Sequence, residues 1–400
     1  MAQAAESSVQ GYAVKVAMLG SRGVPASYSG VETCFEQLGA RLVERGHEVT
    51  VYCRPNYVSY PEPTYRGMRL VKLPTISNKY LDTIVHAALS SLHALTQGYD
   101  IALYAIAGNS LVCWLPRLAR QATVLNVDGL DWKRDKWPGW AKAYIRFAER
   151  MATVLPTALL TDSRVVQAYY RQAYGHEPHY IPYGSEVPRV PPGETLARFG
   201  LAPRQYVLFV GRLVPENCAQ HLVAAFHGLD TALKCVIVGD APYAEEYQAQ
   251  LRGTVDPRVV FTGYQFGEAY HELGSNAAAF VETSGVGGTH PALLEAMAFG
   301  NAVIVHNTPE NLETIGDAGL CYDGAIGAPA LRELLVRLLG EPGLLADLQQ
   351  RAMARASSVY SWEAITDRYE ALFRALLRRP GARSPARDEG GAAEQPVRRF

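Results

Sequence analysis

The chemistry in this sequence concentrates in residues 285–300, GVGGTHPALLEAMAFG, a glycine-rich loop running into a helix. Gly287 and Gly288 lack a Cβ, so their backbone is free to approach a ligand closely or to take positive φ. Thr289 or His290 suits the helix cap, and Pro291 suits the first turn. The unsatisfied N–H groups and positive dipole end of such a helix make a place for phosphate. Glu295 falls one turn further in, roughly 6 Å along the axis at about 1.5 Å per residue. A diphosphate and the ribose diol of the same nucleotide are offset by about as much, and a carboxylate can accept both diol protons. An ordinary helix cap with a surface glutamate fits the same residues, since glycine-loop patterns recur widely.

Other candidates stand where strands end. Residues 206–210, YVLFV, read as a buried strand, and Arg212 follows, where a guanidinium can grip phosphate as a planar fork. A surface ion pair is the alternative. Residues 122–127 read as a strand that ends at Asp128, with Asp131 just past it. In open α/β sheets, ligands collect outside the carboxyl ends of the strands. One of these carboxylates can bind or orient an acceptor hydroxyl; helix capping or a local pair with Lys133 or Arg134 is the alternative. The first loop, GSRGVPASYSG, offers Arg22, and Glu32 lies just beyond it. Both are candidate ligand contacts, or else a loop salt bridge and a helix-start acid.

These residues need elements to hold them. A strand over 14–19, the glycine loop, a helix over 31–45 stopped by Gly46 and a strand over 49–52 make the βαβ opening of a doubly wound sheet. Gly20, Gly23 and Gly30 miss the G-x-G-x-x-G spacing, which argues against a nicotinamide cofactor. Strands follow over 68–73, 101–105, 122–127 and 159–162, with a helical segment over 81–96. A proline-rich stretch at 187–193 reads as a domain boundary. The alternation then restarts with strands over 206–210, 234–238, 259–261, 277–281 and 302–305. Leucine-rich helices fill 330–357, and a last amphipathic helix covers 362–377. We therefore expect a lead-in over 1–13, an N-terminal domain over 14–187 and a C-terminal domain over 188–358. A final helix over 359–378 and a disordered tail over 379–400, rich in Pro, Gly, Ala and Arg, complete the chain.

Composition removes several function classes. A formal net charge of −1 offers no global field for nucleic acid. The six cysteines form no Cys-x-x-Cys pair and read as reduced thiols, not a zinc site or disulfide framework. No run approaches the roughly 18 apolar residues of a membrane-spanning helix. Residues 133–150 are different: six bases face two acids, and Trp137, Trp140, Tyr144 and Phe147 are interleaved. Such a helix either lies on an anionic membrane surface or packs its aromatics into the core.

Five motifs, in order, carry a family likeness: GSRGVPASYSGVET, NVDGLDWKRDKW, GRLVPEN, VGGTHPALLEAMAFGNAV and NTPENLETIGDAG. Over residues 14–377 the chain resembles the family-4 glycosyltransferases, closest to their bacterial rhamnosyltransferase-like branch. The resemblance implies an α/β protein of GT-B architecture, two Rossmann-like domains with parallel sheets facing a central cleft, and a last helix crossing back to the first domain. It implies that Arg212 contacts the donor diphosphate, that Gly287, Gly288 and Thr289 lie at the phosphates or sugar, and that Glu295 holds the ribose. Gly30 would let the first loop close on the donor, and Tyr264 would border the base. Three positions depart from the family pattern. Gly287 replaces the first Glu of a Glu-x7-Glu pair. Asn217 and Cys218 stand where a lysine is usual, so Asn217 inherits that place beside the donor. Asp128 stands where many members carry histidine.

The expected activity is transfer of a hexosyl group to a hydroxyl of a glycan precursor, with L-rhamnose from dTDP-L-rhamnose as the expected donor. Asp128, Arg212 and Glu295 would carry it; Asp128, Asp131 and Arg22 would meet the acceptor, a diphospho-lipid-linked sugar at the inner membrane face. GT-B enzymes of this type need no metal and generally retain anomeric configuration. UDP-glucose, UDP-GlcNAc or GDP-mannose remain alternative donors, and a non-catalytic carbohydrate-binding protein on the same fold is a further alternative.

Overall fold

The computed structural model describes residues 12–26, 30–78, 81–133, 137–241 and 244–378. Residues 1–11 of the expected lead-in, the expected tail, residues 27–29 of the first loop and residues 134–136 of the basic segment lie outside the described residues.

The first domain runs β1 (Lys15–Leu19), α1 (Gly30–Glu44), β2 (Glu48–Cys53), β3 (Thr64–Tyr65), β4 (Met68–Lys72), α2 (Asp82–Ala94), β5 (Ile101–Ala105), β6 (Ala122–Asn126), α3 (Gly139–Ala152), β7 (Ala158–Thr161), α4 (Arg164–Tyr174) and β8 (His179–Tyr180). Two 3₁₀ turns, Ala107–Val112 and Pro116–Ala119, replace a helix between β5 and β6. The strands order as β3-β4-β2-β1-β5-β6-β7-β8 and are parallel except for the β3–β4 pair. The two-residue period of a strand shows in β1: Val16 and Met18 join the core under α1, whereas Ala17 and Leu19 join the core under α2, the 3₁₀ turns and α4. Burial on both faces is why these strands read as continuous apolar runs.

The second domain runs α5 (Glu194–Arg198), β9 (Tyr206–Val210), α6 (Ala219–Phe226), β10 (Lys234–Val238), α7 (Glu245–Arg252), β11 (Val259–Gly263), α8 (Gly267–Asn276), β12 (Ala279–Glu282), α9 (Pro291–Phe299), β13 (Ala302–His306), α10 (Pro309–Ile315), β14 (Gly319–Tyr322), α11 (Ala328–Gly340) and α12 (Pro342–Val359). Its six strands are all parallel, in the order β11-β10-β9-β12-β13-β14. Val207 and Phe209 face the α6–α11 core, and Tyr206 and Leu208 face α9 and α12. The strand order reverses between β9 and β12, so the loops leaving those two strands border the crevice where such sheets hold ligands.

Helix α13 (Trp362–Leu377) returns to the first domain. Its Tyr369, Phe373 and Leu376 complete the α1 core, and Glu370 bonds Arg45 at 2.5 Å and His47 at 2.7 Å. Trp362 packs on Gly184 so tightly that a Cβ there would lie 2.3 Å from the indole. The domains also meet through Glu313 of α10. Its carboxylate accepts from Ser163 Oγ and from the Arg164 N–H, both at 2.9 Å, at the N-terminus of α4. An anion at that end opposes the helix dipole favourably.

Candidate active site

The tip of α9 is the meeting point of the two domains. His290 is the N-cap, and neither it nor Thr289 caps the helix with a side chain. Thr289 is instead held by the first domain: its N–H donates to Asp162 Oδ2 and its hydroxyl donates to the Asp162 carbonyl, both at 3.2 Å. Gly288 and Gly287 do not use positive φ. A Cβ on Gly288 would lie 3.4 Å from Asp162 Oδ2 and 3.5 Å from the Gly129 backbone. A Cβ on Gly287 would lie 2.5 Å from Cε1 of His290, so the imidazole covers the place of a side chain at 287. Gly30, first residue of α1, faces the same tip, with a Cβ reaching to 2.6 Å of Pro291. Two helix N-termini and the β6 loop thus converge on one spot.

Arg212 leaves β9 beside this loop. The Gly285 N–H donates to the Glu216 carbonyl at 3.0 Å, joining the Arg212 loop to the glycine loop. Gly239 at φ +140° lets the loop after β10 pass against Gly211, where a Cβ would collide with the Gly211 carbonyl. The amide of Asn217 donates to the Arg212 carbonyl at 2.8 Å, and the residue is buried. Its side chain therefore braces the arginine's loop. Tyr264, past β11, stacks on Phe266 at 5.7 Å and 21°, and its hydroxyl donates to the Asp240 carbonyl at 2.8 Å. Both rings are exposed, a platform suited to a planar base.

Glu295 sits one turn behind the tip, half-buried, and accepts from the Tyr270 hydroxyl of α8 at 2.5 Å. Burial pushes its carboxyl up to about 7, with the Tyr270 bond pulling the other way. Across the cleft, Asp128 accepts from the Tyr183 hydroxyl at 3.2 Å. Asp162 is fully buried, and its Oδ1 has no hydrogen-bond partner. Burial first and the Asp128 carboxylate second push it up to about 7. Two carboxyls in one dry site do not both ionise readily.

Sequence reasoning passed over Asp162. Its signal was positional: it follows β7 directly, as Asp128 closely follows β6. Phe266 and Tyr270 were missed as well, since neither belongs to a motif. Asp131 opens a 3₁₀ turn, Asp131–Lys133, half-buried beyond Asp128. Arg22 follows β1: its guanidinium covers the Tyr57 ring at 4.2 Å, beside the Arg54–Asp82 pair at 2.8 Å, where β2 ends.

Comparison with known proteins places this geometry. Residues 204–341 match a family described as glycosyl transferases group 1, and residues 13–186 match one described as a domain of unknown function (DUF1972). A sucrose-phosphate synthase structure from Thermosynechococcus elongatus superposes with a TM-score of 0.77 at 20% identity, covering 91% of this chain and 99% of that one. The fold is GT-B. Anabaena HepE, solved in complex with UDP, has the same fold at a TM-score of 0.73 and 15% identity, covering 90% of this chain and all of that one. The O-antigen chain mannosyltransferase B of Escherichia coli is 28% identical over 177 residues, 43% of this chain and 46% of that protein. The chain thus spans about half the length of that relative. None of these three proteins is named for rhamnose.

Proposed function

We propose that the chain moves a hexosyl group from a nucleotide sugar to a hydroxyl of a glycan precursor. The α9 tip carries this reading: a helix N-terminus with no side-chain cap, met by Gly129 and Asp162 of the facing domain, with Glu295 one turn behind. In that reading the tip and Arg212 stabilise the diphosphate as the sugar leaves, Glu295 takes the ribose diol, and Tyr264 with Phe266 supports the base. Asp128 orients the acceptor hydroxyl. The C1–oxygen bond to the diphosphate breaks, the bond from C1 to the acceptor oxygen forms, and the acceptor proton passes to the leaving phosphate. Anomeric configuration is retained.

The proposed donor is dTDP-L-rhamnose. At Gly287 the loop has an imidazole over it instead of a carboxylate reaching for sugar hydroxyls, in keeping with a 6-deoxy sugar. UDP-sugars are the second reading, favoured by the UDP bound to the similarly folded HepE, and GDP-mannose follows from the mannosyltransferase relative. The proposed acceptor is a diphospho-lipid-linked sugar at the inner face of the cell membrane. A thermal-shift panel of dTDP-rhamnose, UDP-glucose, UDP-GlcNAc and GDP-mannose tests the donor, because only a ligand of the folded state raises the melting point. NMR of the transfer product tests retention. A panel without any shift, and no transfer, rejects the function.

A further inference from the structure

The first domain has two helical layers, and they differ in what they show to solvent. α1 is sealed by α13. On the other face, α2, the two 3₁₀ turns and α3 pack side by side into one layer. Ser110 Oγ donates to the Ala148 carbonyl at 2.7 Å, Tyr144 Oη to the Gly108 carbonyl at 2.9 Å, and Gln121 Nε2 to the Ala94 carbonyl at 2.7 Å. Among the described residues, nineteen large apolar side chains are exposed, and nine of them lie in this layer or at its ends. They come from every part of it: Leu89 and Leu92 of α2, Leu118 of the second turn, Trp140 and Phe147 of α3, and Val154 just after. α3 buries Ala141, Ile145, Ala148 and Ala152 and turns its aromatics outward, which decides against aromatics packed in the core.

Charge in the layer has one sign. Its exposed ionisable side chains are Arg117, Arg120, Arg146 and Arg150. Its only two carboxylates are turned inward: Asp82 pairs with Arg54, and Glu149 accepts from Tyr169 and Tyr174 at 3.1 Å. Large apolar side chains exposed on every element of one packed layer mark it as a candidate interaction face. Apolar side chains ringed by arginine suit an anionic lipid headgroup layer over an acyl interior.

We infer that the whole α2–3₁₀–α3 layer, not α3 alone, is the surface by which this protein lies on an anionic bilayer. It deepens the proposed reading, on which it rests for its purpose: α3 follows directly from the loop that carries Asp128, so the surface and the acceptor side share one segment. No helix among the described residues is long and apolar enough to cross a membrane, so the contact is interfacial.

The test is co-sedimentation of the full chain with phosphatidylcholine vesicles, with and without phosphatidylglycerol. The expected result is binding to the anionic vesicles only, weakened by salt. Trp140→Ser with Phe147→Ser, and separately Leu92→Gln with Leu118→Gln, should each lower partitioning about tenfold, with thermal unfolding as the folding control. Loss in the first variant alone overturns the composite surface, and wild type left in the supernatant at low salt overturns lipid binding altogether. A dimer in sedimentation velocity that these variants dissociate, with vesicle binding unmoved, reassigns the face to self-association. Nucleoside diphosphate binding is measured on the same samples: its retention when vesicles fail rejects only the surface, and its absence rejects the transferase reading.

Discussion

The two domains repeat one architecture, yet they build their sides of the cleft from different material. The C-terminal sheet brings backbone to it: a helix tip, two glycines and a loop pinned to its neighbour by main-chain bonds. The N-terminal sheet brings carboxyls, half-buried Asp128 and fully buried Asp162, held by Tyr183 and Thr289. Backbone amides carry fixed partial charge that no pH change removes. Carboxyls in a dry site carry charge that depends on each other and on their surroundings. On the proposed reading, a diphosphate suits the first arrangement, and a hydroxyl that must be oriented suits the second.

The largest expected effect breaks the N-terminal side. Asp128→Asn keeps the shape and the Tyr183 contact but removes the charge. Transfer should fall about a hundredfold or more, as for loss of a group that acts in the transition state. Affinity for nucleoside diphosphate, measured by calorimetry, should stay within about twofold. Full activity on the true acceptor would remove Asp128 from the reaction. On the C-terminal side Glu295→Ala should weaken nucleoside diphosphate binding about a hundredfold, the loss of two charge-assisted hydrogen bonds worth about 1.5 kcal/mol each. Unchanged affinity would end the ribose role.

Acidification sharpens the same contrast. The Glu295 carboxyl lies near 7 because it is buried, so below that pH it holds a proton that must leave before it can accept the diol. Wild-type donor affinity should fall as pH drops through about 7, approaching tenfold per pH unit. Glu295→Gln should be flat. Asp162 titrates in the same window, so Asp162→Asn is measured beside it; a slope that vanishes in Asp162→Asn and survives in Glu295→Gln would assign the titration to the facing domain.

What could be read from sequence follows the same division. Backbone sites leave composition signals: glycines, a proline at the first turn and a strand before them place the α9 tip to within a residue. The parallel sheets were legible because strands buried on both faces read as continuous apolar runs. The strand β14 and the two-residue strand β3 were not read, since their short segments are half exposed. Asp162 was illegible for a different reason. Its importance comes from the other domain's Thr289, 127 residues away, and locally only its place after β7 marks it. The outward turn of Trp140 and Phe147 was undecidable from spacing alone. Aromatics and alanines alternate around α3, and only packing shows that Ala141, Ala148 and Ala152 face inward.

The smallest expected effect probes Gly287, where the resemblance leads one to expect a glutamate. With glycine at 287, the His290 ring lies over the loop; a Cβ at 287 would come within 2.8 Å of Nε2. Gly287→Ala should therefore displace the imidazole and not the backbone, because a side chain moves more cheaply than a loop braced by Thr289 and Gly285. If the ring contributes one hydrogen bond to the donor, Gly287→Ala and His290→Ala should each weaken donor binding about five- to tenfold, roughly 1 kcal/mol. The double variant should be no worse than either alone, since both remove the same contact. Additive losses in calorimetry would mean that the glycine serves the backbone and the histidine something else. A loss confined to nucleotide sugars and absent with nucleoside diphosphate would place the ring at the sugar; equal losses would place it at the phosphates.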